Sequence, residues 1–310
     1  MIGECPYPRP TEINVDTMAG LLYFVWEREA IRLARENDMP REQWTADPIL
    51  RKYKFTNIHR RHDRVSQWVI KEIINLNLKH RDLWFALLVA RLINWPPTLE
   101  RLLYEEVIPC VAEDFDGRAF SKVIENYKKT APGGKVYSGA YMIYPTKMDK
   151  GGHKSAAIAK YILGDAVRHA HGVRDIIFSA GELPSIACFV HELSKCFGIS
   201  TFIAGQVAAD LTYARGHLLE AEDLDTYAPI GPGSSRGLNY LLGRKPFAGW
   251  TQEAFNGWLM RINQDIKKEL LIKDLTLHDV QNVMCEYSKY CRVVLGEGIP
   301  KTLYKPETEF

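Results

Sequence analysis

The stretch GPGSSRG combines residue types that can bind a phosphate. The residues that we assign to DNA binding are Gly231, Gly233, Ser234, Ser235 and Arg236. Two glycines that flank a proline predict a sharp turn with bare amide groups, and the next residues add two hydroxyls and a cation at the start of a helix expected from Ser234. Such a helix start favours a phosphate of a nucleic-acid backbone. A plain interhelical turn is the alternative.

The most basic part of the chain lies between Arg51 and Arg64, where six Arg or Lys residues stand against one acid, Asp63. Tyr53 and Phe55 alternate with these cations, as is typical of nucleic-acid surfaces. We therefore expect an arginine-rich helix here that faces DNA. Its candidates for binding an anionic substrate are Asn57, Arg60, Arg64 and Gln67. A solvated helix face is the alternative.

A polar set occurs on the last predicted helix. Asp279, Asn282 and Glu286 stand at i, i+3 and i+7, so they share one face. Carboxylates at this spacing can bind an amine or accept a proton. Lys289 adds a nearby cation for substrate binding. An ordinary solvent-facing stripe is the alternative.

The segment from residue 135 to residue 155 is irregular and rich in glycine and cations. Its candidate ligands for an anion are Lys147, His153 and Lys154. A flexible loop of this composition can close over an anionic leaving group. An exposed linker is an equally open interpretation.

The elements that must position these residues are helices. Ser200 is a candidate N-cap for an amphipathic helix that ends near Leu211 and carries Gln206, a candidate substrate-binding residue. Together with the glycine turn and the helix from Ser234, it predicts a helix-hairpin-helix element near residues 200–243.

Helix signals dominate the rest of the chain. Asp16 is the candidate cap of the first helix. A buried helix over residues 82–94 is expected to stop at Pro96, and Thr98 to cap the next one. Further helices are predicted over residues 116–129, 155–171, 184–197, 250–271 and 276–295. The only candidate strands are the short runs DIIFSA and MIY, so the predicted fold class is all-α.

Composition narrows the possible functions. The 310 residues carry a net charge of +2, which by itself implies no polyanionic partner. The six cysteines include no CxxC pair, which favours a reducing compartment and argues against a zinc site. The sequence shows neither the apolar run of a secretory leader nor the longer apolar run of a membrane span, so we expect a cytoplasmic protein. No GxxxxGK[ST] motif occurs, which argues against a P-loop kinase.

Five ordered blocks carry a resemblance to a known family: DPILRKYKFTNIHRRHDRVSQW, SGAYMIY, FIAGQVAADL, GPGSSRGLN and DVQNVMCEYSKY. They resemble the thymine-hypermodification family of bacteriophages over about residues 45 to 300. This family includes the α-glutamyl/putrescinyl-thymine pyrophosphorylases, or amino acid:DNA transferases, and the helical domain of 5-hydroxymethyluracil DNA kinases. It is distantly similar to the helix-hairpin-helix DNA glycosylases.

The resemblance implies a DNA-base-modifying helical domain over residues 45–310, with two closely packed lobes and a cleft, after an N-terminal helical extension over residues 1–44. The implied reaction transfers an amine, from an amino acid such as glycine or from a polyamine, to pyrophosphorylated 5-hydroxymethyluracil and releases pyrophosphate. The implied partner is double-stranded DNA with modified thymine, in a phage-infected host. The target nucleotide must be flipped out of the duplex or presented single-stranded.

This chemistry implies roles for the candidate residues. The attacking amine must lose a proton, for which the candidate acceptors are Asp63, Asp210 and Glu286. The leaving pyrophosphate needs cations, which Arg60, Arg64, Lys147, His153 or Lys154 would supply. We assign no cofactor and expect no metal site formed by protein side chains. Whether Mg²⁺ binds together with pyrophosphate is left open.

The glycosylase pattern is only partly present. If Gly233 is set on the second glycine of the hairpin, Ser235 takes the place of the lyase lysine and Glu253 falls near the place of the aspartate. Base excision is therefore disfavoured. Three functions stay open: an amine transferase, a glycosylase that acts on a modified base, and a non-catalytic DNA-binding subunit associated with a 5-hydroxymethyluracil DNA kinase.

Overall fold

A computed structural model describes residues 5–11, 14–77, 80–139, 153–179, 181–300 and 302–304. Within these ranges the regular structure is helical, and one isolated antiparallel bridge joins Tyr53 to Leu303. The α-helices are α1 (Met18–Glu36), α2 (Pro48–Lys52), α3 (Arg64–Val69), α4 (Asn75–Asn77), α5 (Leu83–Ile93), α6 (Pro96–Tyr104), α7 (Gly117–Thr130), α8 (Lys154–Ala157), α9 (Gly164–Arg168), α10 (Ala170–Phe178), α11 (Ile186–Ser194), α12 (Thr201–Leu211), α13 (Pro232–Leu241), α14 (Gln252–Leu270) and α15 (Leu277–Val294). Two π-helical stretches join α3 to α4 and α8 to α9.

The predicted all-α class is confirmed in this part of the chain. The candidate strand DIIFSA falls mainly in α10, whereas MIY lies outside the described residues. None of the described helices combines the length and the apolar character that a membrane span requires.

The chain divides into two compact units. The first unit comprises Met1–Asp63 and Asp225–Glu309, and the second comprises Arg64–Leu224. The boundary predicted from the sequence lay at residue 44. α1 and α15 belong to the same unit, and their side chains enter one core, in which the rings of Phe24 and Tyr287 lie 5.6 Å apart.

Helix α13 packs closely on α15 in the first unit. A Cβ atom added to Gly237 would lie 2.8 Å from the backbone carbonyl carbon of Met284, and one added to Gly233 would overlap the Sγ atom of Cys285. Only glycine leaves room for this approach. These two glycines therefore let the two helices touch along their backbones.

The expected turn at Gly231 to Gly233 is wrong. α13 begins at Pro232, two residues before Ser234, with Gly231 as its N-cap. Proline is favoured at the first position of a helix, where its missing N–H costs nothing. The amide of Gly231 is also not bare, because it donates to Ser234 Oγ at 3.2 Å.

The two helices of the expected helix-hairpin-helix are not joined by a short turn. Ser200 caps α12 as predicted. α12 belongs to the second unit and α13 to the first, and residues 212–231, with a 3-10 turn at Leu218–Glu220, separate them. Residues 212–231 therefore lie between the two helices in the chain, and the helix-hairpin-helix element near residues 200–243 stays a prediction.

Proline also starts a helix in the second unit. α5 is buried along its whole length, as predicted, and ends in a left-handed Asn94. Pro96 then occupies the first turn of α6, whose N-cap is Trp95 rather than Thr98. Likewise Thr17, not Asp16, caps α1.

Candidate functional site

The basic segment that precedes α3 is not a helix near Arg60. After α2 the chain is extended from Tyr53 to His59 and then makes a 3-10 turn at Arg60–His62. This corrects the expected arginine-rich helix. The extended backbone needs hydrogen-bond partners from elsewhere in the fold.

The polar face of α15 supplies these partners. Glu286 Oε2 accepts the N–H of Thr56 at 3.1 Å, and Asn282 Nδ2 donates to Thr56 Oγ1 at 3.0 Å and to the carbonyl of Asn57 at 3.2 Å. Asp279 Oδ1 accepts the N–H of Arg60 at 2.8 Å. The three side chains share one face as predicted. The face is buried, however, and it fixes the segment over residues 56–60 instead of facing solvent.

Asp63 follows this segment and is the carboxyl group of the site with the most perturbed proton affinity. Its Oδ1 accepts the N–H of Asn57 at 2.8 Å. Burial raises the pKa of Asp63 to about 7, against the lowering effects of that hydrogen bond and of Arg60, and the charge of Glu286 raises it further. A carboxyl with this pKa changes its protonation state near neutral pH.

Two cations next to Glu286 are already engaged. Arg28 is buried and donates from Nε to the carbonyl of Thr56 at 3.2 Å and from Nη2 to the carbonyl of Phe55 at 3.2 Å. Lys289 Nζ lies 2.5 Å from Glu286 Oε2 and 5.5 Å from the centre of the Phe55 ring. Both cations therefore support the same segment, and Lys289 alone of the two is partly exposed.

Arg60 and Arg236 both influence the pKa of the Cys285 thiol. Burial and the charge of Glu286 raise the pKa of Cys285 to about 11, whereas Lys289, Arg60 and Arg236 oppose this rise. Since charges act strongly only at short range, the two arginines lie on the same part of the first unit. Arg236 also stacks on Phe247, 4.6 Å from the ring centre.

The hydroxyl of Ser234 is not available to a phosphate. It is buried, donates to the carbonyl of Gly231 at 3.0 Å, and accepts from Gln281 Nε2 at 3.3 Å. Its assignment to DNA binding is therefore wrong, because its hydrogen bonds close the first turn of α13. Ser235 is half-buried, and its N–H donates to the carbonyl of Gly231 at 2.9 Å.

His278 belongs to this region and was not found by the sequence analysis. It is buried in the first turn of α15, and neither ring nitrogen has a hydrogen-bond partner among the described residues. Burial, followed by the charge of Arg60, lowers its pKa to about 3, so the imidazole is neutral. A neutral ring with both nitrogens unpaired can bind a polar ligand. In the sequence, His278 could have been singled out because it directly precedes Asp279, a residue of the predicted polar face.

Asp210 is not a free proton acceptor. Its carboxylate is buried in the second unit, where α12 packs on α5, and both of its oxygens pair with the guanidinium of Arg91. The contact from Arg91 Nε to Asp210 Oδ2 measures 2.5 Å. The proposed catalytic role of Asp210 is therefore wrong, since this ion pair occupies the carboxylate within a helix interface. Gln206, one turn earlier on α12, is also buried.

The remaining candidates of the second unit lie in two places. Arg64 and Gln67 are exposed on α3. His153 and Lys154 line a cleft of about 310 Å³ together with Lys128, Lys135, Tyr137 and Glu125. Lys147 lies outside the described residues.

The cleft is cationic. The ammonium of Lys154 lies 4.2 Å from the ring centre of Tyr137, and that of Lys135 lies 3.5 Å from the ring centre of Trp95. Burial lowers the pKa of Lys154. Only Glu125 offsets these charges among the lining residues, and it pairs with His153 at 3.2 Å. The sequence offered one sign of this cleft that the prediction did not use, namely the two lysines on either side of Gly133 and Gly134, Lys128 and Lys135.

Comparison with known proteins points to one family. A family model described as "5-hmdU DNA kinase, helical domain" matches residues 16–298. A 5-hmdU DNA kinase of Bacillus phage SP10 is 24% identical over 294 residues, which are 87% of this chain and 44% of that protein. The chain thus spans less than half the length of this relative. No solved structure matches the chain.

Proposed function

The chain belongs to the family of the 5-hmdU DNA kinase helical domain, and from that premise we propose that it acts on a 5-hydroxymethyluracil-derived base in DNA. The reaction that we propose is transfer of an amine to the pyrophosphorylated base. The amine nitrogen forms a bond to the 5-methylene carbon, the bond from that carbon to pyrophosphate oxygen breaks, and the electron pair leaves with pyrophosphate. The amine proton passes to Asp63.

The observation that carries this proposal is the place of Asp63, which is half-buried directly after the segment over residues 56–60 and accepts the N–H of Asn57. Burial raises its pKa to about 7. A general base works best when its pKa lies near the operating pH. Glu286 is less suited to this role because the Thr56 amide and Lys289 already occupy its Oε2 atom. Of the three predicted acceptors, Asp63 is therefore the one that we assign as base, and Glu286 as the group that positions it.

Cations of the first unit would stabilise the leaving group. Arg60 and Arg236 both act on Cys285, and Lys289 lies one turn along α15 from it. Guanidinium groups bind phosphate oxygens with two parallel hydrogen bonds, which suits pyrophosphate. His278 would donate or accept a hydrogen bond at the same place.

The cleft of the second unit would bind phosphates of the DNA backbone. Its lysines carry charge without a matching set of carboxylates, as a phosphate-tracking surface requires. Aromatic rings beneath Lys135 and Lys154 hold the ammonium groups in place. The target base must leave the duplex stack, so we infer that the DNA is distorted when it is bound.

A second candidate function is favoured by the family match itself. In a 5-hmdU DNA kinase reaction, the oxygen of the 5-hydroxymethyl group would bond to the γ-phosphorus of a nucleoside triphosphate and lose its proton to the same Asp63. The bond from that phosphorus to the bridging oxygen would break, and the electron pair would leave with the nucleoside diphosphate. These 310 residues contain no P-loop motif that would hold the triphosphate. In this case the chain would recognise the base, and another polypeptide or segment would bind the phosphate donor.

Mass spectrometry of intact nucleosides separates these candidates. DNA that carries pyrophosphorylated 5-hydroxymethyluracil is incubated with the protein and glycine or putrescine, and DNA with 5-hydroxymethyluracil is incubated with ATP. We expect an amine adduct and free pyrophosphate in the first reaction. A phosphorylated base in the reaction with ATP would support the kinase function, and loss of the base from DNA would support a glycosylase. Asp63→Asn should abolish product, while the exposed control Asp114→Asn should not. Full activity of Asp63→Asn would reject Asp63 as the base.

A further inference from the structure

The second unit gathers three different metal-binding side chains outside both regions described above. Asp165, His169 and Cys196 each offer one ligand atom, and these atoms all lie within 4.8 Å of one another. Asp165 and Cys196 are buried, whereas His169 is half-buried. We propose that these three residues bind a zinc ion.

The donor set selects the metal. One thiolate, one imidazole and one carboxylate match the ligands of Zn²⁺, while Mg²⁺ and Ca²⁺ prefer oxygen alone. In a tetrahedral zinc site with bonds of about 2.0 to 2.3 Å, the ligand atoms stand roughly 3.3 to 3.8 Å apart. Ligand atoms within 4.8 Å of one another are at most about 1 Å farther apart than the upper value, a gap that side-chain rotation can close. The solvent-facing side of His169 leaves room for a water as the fourth ligand.

Short-range contacts fix two of the ligands. Asp165 lies in the first turn of α9, and His169, four residues later, is the C-cap of the same helix. Asp165 Oδ2 accepts the N–H of Phe197, the residue after Cys196, at 2.5 Å. This hydrogen bond ties the carboxylate to the segment that carries the thiol. Its other oxygen, Oδ1, pairs with Arg168.

Glu192 supports the histidine. Its Oε1 lies 3.5 Å from His169 Nδ1, and its Oε2 pairs with Lys195 Nζ at 2.6 Å. Metal-bound histidines usually give their second ring nitrogen to such a carboxylate. A Cβ atom added to Gly172 would lie 2.8 Å from Glu192 Oε1, so the glycine leaves space for this carboxylate. Glu192 is therefore a positioning residue that holds His169 for the metal.

The proposed site is compatible with the cysteine spacing of this sequence. Zinc was judged unlikely because no CxxC pair occurs. A site with a single cysteine needs no such pair, since the histidine and the carboxylate supply the other ligands. The i, i+4 spacing of Asp165 and His169 was the visible part of the pattern.

The test measures metal content and cobalt spectra of the full-length protein. The purified protein should contain one zinc per chain, and Co²⁺ added to the chelated protein should produce the intense near-ultraviolet band of a thiolate-to-cobalt transition. Cys196→Ser should lose the band and the zinc, while the control Cys188→Ser, an exposed cysteine, should keep both. Glu192→Gln should weaken metal affinity about 10- to 100-fold.

The proposal is overturned if the wild-type protein takes up no zinc after reconstitution, or if its cobalt spectrum lacks the thiolate band. Equal zinc affinity in Cys196→Ser and wild type would also reject it. Should Cys196→Ser fail to fold by circular dichroism, the wild-type cobalt spectrum and His169→Asn decide the question. None of these readouts depends on the reaction proposed above, so the two proposals fail separately.

Discussion

Replacing Gly237 by alanine tests whether the glycine motif serves packing or phosphate binding. In α13 the added Cβ would lie 2.8 Å from the carbonyl carbon and 3.3 Å from the Cα atom of Met284, and closer still to its oxygen. These are backbone atoms of α15 and cannot rotate away. Because non-bonded carbons rest about 3.5 Å apart at their optimum, the helices must separate by roughly 1 Å.

The expected cost follows from two opposed effects. Overpacking of a close interface costs about 1 to 3 kcal/mol, and a clash with backbone belongs near the upper end. Alanine regains about 1 kcal/mol of helix propensity relative to glycine. We therefore expect Gly237→Ala to lower the free energy of unfolding by roughly 2 kcal/mol.

Gly257 provides a matched control on the neighbouring helix α14. A Cβ atom at Gly257 would meet nothing within 4 Å, so Gly257→Ala should stabilise by about 0.5 to 1 kcal/mol. Urea denaturation gives the two free energies, and hydrogen exchange of peptides from α13 and α15 shows whether the first unit is the part that loosens.

Opposite signs for the two variants support the packing role. If Gly237→Ala is as stable as wild type, the backbones of α13 and α15 do not approach as described. A loss of DNA affinity at unchanged stability would instead restore the interpretation of this motif as a phosphate-binding turn.

Four further predictions concern charged residues. Asp210→Asn leaves Arg91 buried without its anion and should cost about 3 to 5 kcal/mol in thermal or chemical denaturation; lost activity at unchanged stability would contradict this. The pKa of Asp63 in the folded protein, about 7, exceeds that of an unfolded aspartate, so the free energy of unfolding should decrease as the pH rises from about 4 to about 7. The decrease should reach up to ~1.4 kcal/mol per pH unit, and Asp63→Asn should remove it in denaturation measured across this pH range. Glu286→Gln keeps an acceptor for the Thr56 amide but removes a charge that raises the pKa of Asp63, so the pH profile of the reaction should move to lower pH; an unmoved profile would show that the two groups are not coupled. Arg236→Ala should weaken DNA binding and reduce its salt dependence in a fluorescence titration, whereas unchanged affinity would remove α13 from the interface.

Local signals predicted most of the helices of this fold. Ser200, Thr251 and Thr276 mark the starts of α12, α14 and α15 with side-chain caps, and α5 carries the uniform apolar pattern of a buried helix. These features depend on neighbours within one turn. The start of α13 was predicted two residues too late because proline and glycine were taken to break helices. Proline is in fact favoured in a first turn, and the glycines allow close packing of α13 on α15.

The environment of polar residues could not be predicted in the same way. Asp279, Asn282 and Glu286 share a face because of the helical period, but whether this face meets water or protein depends on a segment more than 200 residues away in the chain. Similarly, the role of Asp210 depends on Arg91, 119 residues earlier. Long-range pairing of this kind leaves no local pattern.

The polar face of α15 links the fold of the first unit to its proposed chemistry. It fixes the backbone from Thr56 to Arg60, and this segment brings the amide of Asn57 to Asp63 and carries Arg60 toward Cys285. A carboxyl group keeps a pKa near 7 only where its burial is maintained, because access of water would return it toward its ordinary value. The contacts of Asp279, Asn282 and Glu286 would therefore serve the proposed reaction without touching the base, and their loss should appear first as a shifted pH profile and only then as unfolding.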